Sequence, residues 1–237
     1  MRSNMYREAK DKTVNLFVGC KYNCVYCKPS FQKMMKRQKH RCLKCYNYEP
    51  HFHPERLKRR PPKTKGKEFI FLCDCGDVSF MTPEQWEMLI EYVEKWNDRT
   101  FLIQSKNPLC FAPYSFPENV ILGTTIETNW VHFSFSKYRN YWNISKAPLP
   151  VYRCQAMIML KHPRKAVTVE PILDFDLHVL LTWIVKIWPE FVYVGYDNHK
   201  CYLPEPPLQK TLHLIEELEK EGIEVRTKNI RKAWYET

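Results

Sequence analysis

Within eight residues, Cys20-Lys-Tyr-Asn-Cys24-Val-Tyr-Cys27 brings three thiols together. Thiolates at this spacing can face one soft metal centre, and three is one short of the closed tetrahedral set that holds a structural zinc ion. An iron–sulfur cluster with one iron left open can instead take its last ligand from a bound molecule. A zinc knuckle, or three unrelated core cysteines, would use the same residues without an open position.

A second group follows. Cys42-Leu-Lys-Cys45 is a C-x2-C pair and His51-Phe-His53 comes shortly after, so four nitrogen and sulfur ligands fall within 12 residues. The spacing departs from that of zinc fingers but permits a Cys2His2 zinc site; a second iron–sulfur cluster or a reduced, metal-free pair are the alternatives. Cys73 and Cys75 could also contribute, although alternating strand positions point to opposite faces and only one could join easily. Arg56-Leu-Lys-Arg-Arg60-Pro-Pro-Lys-Thr-Lys-Gly-Lys67 closes this stretch. Together with the C-x2-C it makes a basic module suited to docking a polyanion on the rim of a site.

The elements that must carry these groups alternate. Val14-Asn-Leu-Phe-Val18 reads as a strand that runs through Gly19 into the first motif. Further strands are expected at 69–72, 100–104, 119–125, 166–169 and 191–194, with 223–226 as a last one. Helices are expected at 82–96, with Thr82 as N-cap and Pro83 in the first turn, and at 149–161, 177–188 and 208–221. A short basic helix fits 30–39, and prolines break 108–117 into an irregular segment. Near-uniformly apolar strands between helices imply a parallel sheet covered by helices, and six of them suit an open or partial (β/α) barrel. The chain reads as a single domain over 1–237 with a basic, Cys/His-containing insertion at 40–67 after the first strand. Of only six glycines, Gly19, Gly76 and Gly195 each follow a predicted strand and Gly123 lies late in another. They gather at the strand ends where α/β barrels place their active sites.

The C-x3-C-x2-C spacing directly after a strand, with the aromatic Tyr26 before the third cysteine, resembles the radical S-adenosylmethionine (AdoMet) superfamily. The strand ends “SKNP”, “LGTTIETN”, “VEPILDFD” and “GYDN” look like a branch of that superfamily from phages and archaea, distantly similar to spore photoproduct lyase. This resemblance covers about residues 14–230. It implies an α/β fold, the six-stranded partial (β/α)6 barrel of that superfamily. It also implies a [4Fe-4S] cluster on Cys20, Cys24 and Cys27 and AdoMet on the open iron. A ferredoxin- or flavodoxin-type electron donor and hydrogen abstraction by a 5′-deoxyadenosyl radical would follow. Gly76 and Asp77 match the element that binds the AdoMet amino group, and Lys106 could meet its carboxylate. Thr125, Glu127 and Asn129 would share one polar face toward the ribose if their strand continues. Glu170 resembles the contact region after the fifth strand. Cys201, or one of the tyrosines, could act as hydrogen donor.

Composition bounds the rest. The net charge is +11, yet residues 1–68 hold +14 and the remainder −3, so the basic excess is local. Nucleic-acid binding through this third and a solvated Lys/Arg surface both fit that pattern. Ten cysteines behind an N-terminus without an apolar leader argue for metal binding in the cytoplasm, and no apolar run is long enough for a membrane span. Two function classes remain open. One is a radical enzyme acting on a nucleic acid, peptide or small molecule; the other is a non-catalytic, zinc-binding nucleic-acid protein.

Overall fold

A computed structural model describes residues 6–9, 13–134 and 136–237. Its strands are β1 (Phe17–Val18), β2 (His51–Phe52), β3 (Ile70–Leu72), β4 (Phe101–Gln104), β5 (Val120–Thr125), β6 (Lys165–Val169), β7 (Phe191–Gly195) and β8 (Glu224–Lys228). Its helices are α1 (Lys33–Met35), α2 (Leu43–Asn47), α3 (Pro83–Lys95), α4 (Pro150–Met159), α5 (Leu177–Ile187) and α6 (Leu208–Lys220). Strands β3 to β8 lie side by side in chain order, every neighbouring pair parallel.

Alternation along each strand sorts side chains to two faces. Ile70, Leu72, Phe101, Ile103, Val120 and Leu122 face outward onto Trp86, Leu89 and Val93 of α3. Val167, Val169, Val192 and Val194 do the same against α4, α5 and α6. The inner face collects Phe69, Phe71, Leu102, Ile121, Ala166, Phe191 and Tyr193 around Tyr6. Phe69 lies just before β3, and Phe191 opens β7, four strand spacings away; in a flat sheet that is about 19 Å. Their ring centroids are 5.9 Å apart with planes 5° from parallel. The sheet is therefore curled into a half barrel whose N-terminal end is floored by stacked rings. Tyr6 lies on Tyr193 with centroids at 4.0 Å. One layer above, the interior turns polar: Gln104 donates to Thr125 at 2.9 Å and accepts from Thr168 at 3.3 Å.

Local chemistry sets the helix ends. Thr82 and Gln85 form a reciprocal capping box at the start of α3, behind Pro83. α6 ends at Gly222, whose φ of +78° permits the turn in which Ile223 N–H bonds Leu218 O at 3.1 Å.

Four expectations change. The 14–18 run is not a barrel strand: Phe17 and Val18 pair antiparallel with β2, and Val14 and Gly19 meet Leu72 and Gly76 through single parallel bridges. The ladder stops because Cys73, at φ +63°, turns the chain straight after β3. The sixth barrel strand is instead β8. The 30–39 helix is a run of changing register, a π-turn at Lys28–Gln32, then α1, then a 3-10 turn at Lys36–Gln38. Lys33, Lys36 and Arg37 stand three and four residues apart, a like-charge spacing that disfavours regular helix.

The basic segment also lies elsewhere than the rim. Tyr92 donates to Arg59 O, Arg99 to Pro61 O at 3.0 Å, and Thr100 N–H to the Thr64 hydroxyl at 2.9 Å. Lys67 pairs with Glu224 at 2.7 Å. Thr100 and Glu224 mark the starts of β4 and β8, so residues 59–67 run along the floor end, opposite the mouth. Among the described residues, no helix is long and apolar enough to cross a membrane.

Candidate active site at the barrel mouth

The triad loop is clamped from two sides. Gly19 N–H bonds Cys75 O, and Asp77 N–H bonds Gly19 O, both at 3.1 Å. A Cβ on Gly76 would lie 3.0 Å from Gly19 O and 3.1 Å from Gly19 N and Val18 C, tighter than side chains ordinarily pack, so glycine favours this close approach of the chain after β1 to the end of β3. From the other side Val25 N–H bonds Ile144 O at 2.9 Å and Lys146 N–H bonds Tyr22 O at 2.8 Å. Cys24 is buried with its sulfur 3.1 Å from the Ser145 hydroxyl, while Cys20 and Cys27 are partly exposed. All three thiols are free.

Their electrostatics are shared. A hydrogen bond to Cys27 holds the Cys24 thiol below its ordinary value, and the same bond, with burial, holds Cys27 above it. Burial, then Asp77, pushes Cys20 up. Lys106 favours the thiolate at all three positions. Cys24 and Cys27 are thus direct neighbours, and the charge of Lys106 reaches all three thiols.

Below them sits a buried charged network. Glu127, fully buried, accepts from the Tyr26 hydroxyl at 2.5 Å, from Lys106 Nζ, from Arg153 Nη1 at 2.9 Å, and from the Tyr141 hydroxyl at 3.1 Å. Arg153, the largest fully buried side chain, also donates to Thr125 O at 2.9 Å, Pro148 O at 2.7 Å and the Tyr141 hydroxyl at 2.5 Å. Burial opposes a charge on Glu127, but Lys106 and Arg153 outweigh it and hold the carboxyl down at about 2. Tyr26, two residues from Cys24 and one from Cys27, ties this network directly to the triad.

The remaining residues expected at the site fall into three settings. Asp77 is buried and spends its oxygens on Ser79, Ser105 and the N–H of Lys106, so it fastens the end of β3 to the end of β4. Thr125 and Glu170 line the interior, Glu170 pairing with Lys228 at 2.7 Å; burial raises its carboxyl and Lys228 counters that. Asn129 does not share a face with Thr125, because β5 ends at Thr125 and Thr128 turns the chain by bonding Asp174 O; its side chain accepts from Asp176 N–H at the start of α5. Cys201 packs with Cys24, Tyr26 and Tyr141 in one apolar cluster, and burial, then Asp197, pushes its thiol up to about 12.

Sequence reasoning missed Tyr141, Ser145 and Arg153. A signal existed for Arg153: Pro150, Arg153, Cys154 and Met157 form the buried stripe of α4, and a charge on such a stripe must meet an opposite charge. Tyr141 and Ser145 sit in irregular chain and carried no comparable pattern. Cys42, Cys45, His51 and His53 form a second group, with their ligand atoms all within 4.8 Å of one another. Cys73 and Cys75 stay outside it, Cys73 in the outer core and Cys75 packed beside Cys45.

No protein-family model and no curated protein matches the sequence. Solved structures resemble it in fold. SuiB from Streptococcus suis, in a structure bound to S-adenosylmethionine, aligns with a TM-score of 0.51 and 7% identity over 92% of this chain and 50% of that one. A radical SAM methyltransferase from Sphaerobacter thermophilus aligns with a TM-score of 0.49 and 11% identity over 92% of this chain and 65% of that one. The chain spans half the length of SuiB. The likeness to SuiB shows the fold alone, a partial barrel built on a six-stranded, all-parallel sheet.

Proposed function

We propose that the chain is a radical AdoMet enzyme in which Cys20, Cys24 and Cys27 hold a [4Fe-4S] cluster with one iron left for AdoMet. The carrying observation is the triad itself, three free thiols at the C-terminal end of a half barrel with Lys106 acting on all of them. The donor set fits the group: soft thiolates suit iron–sulfur chemistry, and all three cysteines are free. When bound, cluster and cofactor together supply reductive cleavage of AdoMet and a 5′-deoxyadenosyl radical, with electrons from a ferredoxin- or flavodoxin-type donor.

The protein's own residues orient and insulate. Ser145 and Tyr22 N–H hydrogen-bond two of the sulfurs and so fix the loop. Asp77 positions Lys106, and Glu127 with Arg153 balances charge beneath the triad. In this reading Gly76, Lys106, Thr125 and Glu170 line the AdoMet side of the mouth, and Glu127 acts through Lys106 and Tyr26. Asp77 and Asn129 are positioning residues, since their oxygens already serve the fold. Cys201 keeps its proton at neutral pH, which leaves an S–H hydrogen available for donation.

For the substrate, a nucleic acid is the class that the charge distribution favours. Lys28, Lys33, Lys36, Arg37, Lys39, Arg41 and Lys44 follow Cys27 directly and are all exposed. These cations, rather than 59–67, are the ones near the triad.

The test is anaerobic reconstitution with iron and sulfide, followed by dithionite and AdoMet. The expected result is a brown protein with about four irons per chain that releases 5′-deoxyadenosine. A fully loaded cluster that never cleaves AdoMet would overturn the assignment. Zinc alone, with no iron uptake, would favour the non-catalytic nucleic-acid protein.

A further inference from the structure

The 42–53 segment has too little core to hold its own shape. α2 is five residues long, far below what stands alone in water, and β2 is two. Among the four polar ligands only Cys45 and His53 are buried, Cys45 in a small cluster with Val18, Met35 and Cys75. Even so, the four ligand atoms converge. His51 Nε2 lies 3.4 Å from both Cys42 Sγ and Cys45 Sγ, and His53 Nε2 lies 3.2 Å from Cys45 Sγ. A tetrahedral ion with Zn–S near 2.3 Å and Zn–N near 2.05 Å requires sulfur–nitrogen edges of about 3.6 Å. The observed edges are within a few tenths of an ångström of that.

The outer partners match as well. His51 Nδ1 faces Glu49 O at 2.7 Å, and His53 Nδ1 faces the Glu55 carboxylate at 2.8 Å. Each ring therefore donates its Nδ1 proton away from the cluster and turns the Nε2 lone pair inward, the arrangement that orients metal-bound histidines. Two thiolates and two imidazoles in a tetrahedral array select zinc over hard oxygen-seeking ions. Four protein ligands leave no open position, so such a site supports structure and not catalysis.

We infer that Cys42, Cys45, His51 and His53 bind one structural Zn2+ and that this ion braces the triad loop. The bracing follows from what the cross-link joins. It ties α2 to β2, and β2 is the partner of β1, with Val18 opposite His51 and His53 N–H bonded to Leu16 O at 2.7 Å. Between the two ligand pairs, Tyr48 caps α2 in the left-handed conformation, and its carbonyl accepts from Cys20 N–H at 3.4 Å. The first residue of the triad is thus held by the loop that the ion closes. The zinc site stands on its own geometry; only its bracing role rests on the reading of Cys20, Cys24 and Cys27 as cluster ligands.

Metal analysis of the full chain separates the two. Wild type should carry one zinc per chain besides iron, and a Cys20→Ala/Cys24→Ala/Cys27→Ala variant should lose the iron and keep the zinc. Cys42→Ser/Cys45→Ser should lose the zinc, and its iron loading should drop severalfold because Cys20 is no longer braced. Should that variant fail to fold, a thiol-modifying mercurial added to wild type should release one zinc. Zinc K-edge absorption should report two sulfur and two nitrogen neighbours. Zinc-free wild type, zinc retained in Cys42→Ser/Cys45→Ser, or iron in place of zinc at these residues would overturn the site. Full iron loading in a folded, zinc-free variant would overturn the bracing.

Discussion

Arg153 and Glu127 show what a single buried charge demands. Each is fully enclosed, and each has the other as partner. Arg153→Met leaves Glu127 with Lys106 as its remaining ion-pair partner among the described residues and should cost about 3 kcal/mol in urea unfolding. The pH dependence has a definite sign. Glu127 is held at about 2 against an ordinary value of 4.5, so its contribution is fully present above 4.5 and is lost as pH falls toward 2. Glu127→Gln lacks that titration. Urea midpoints of wild type and Glu127→Gln should therefore differ most near neutral pH and converge across the 4.5-to-2 window; a gap that stays constant would mean the carboxylate is not held this way. Lys106 and Glu127 could be picked out from sequence because they end apolar strands. Their meeting could not, since it depends on how far the strand ends converge, and Arg153 reaches them from a helix between β5 and β6.

At the scale of elements, the contact of β1 with β3 decides how the triad is presented. Gly76→Ala forces a Cβ onto backbone atoms of Gly19 and Val18 that have no side-chain freedom to yield. It should cost about 1–3 kcal/mol and lower the iron retained after reconstitution. Thr82→Ala provides the contrast: loss of the α3 cap should cost about 1 kcal/mol and leave iron loading at the wild-type level. Equal iron loss in both would point to general destabilisation. Strands β3 to β7 and helices α3 to α6 were legible from apolar runs, caps and the glycine at 222, because local pattern and burial agree there. The short pairing of β1 with β2 was not, because a left-handed Cys73 and a partner 33 residues away leave no periodicity to read. The cysteine and histidine spacing raised the zinc site as one option among several. Only the fold of the 48–50 loop turns four residues into four converging ligands.

For the whole molecule, the half barrel separates two basic regions that sequence had joined. Cations 28–44 extend from the triad, and residues 59–67 lie along the opposite end. Neutralising four exposed lysines or arginines in 28–44 should weaken binding of single-stranded RNA or DNA and reduce its salt slope by roughly 3. The same change in 59–67 should leave the slope nearly intact. Equal effects would mean that net charge, and not position, governs binding. The curl that creates this polarity has one further result. Phe69, Phe71, Phe191, Tyr193 and Tyr6 fill the N-terminal end with packed rings, beneath the polar layer of Gln104, Thr125 and Thr168. The rings act as a stop, setting the depth that anything entering from the strand C-termini can reach.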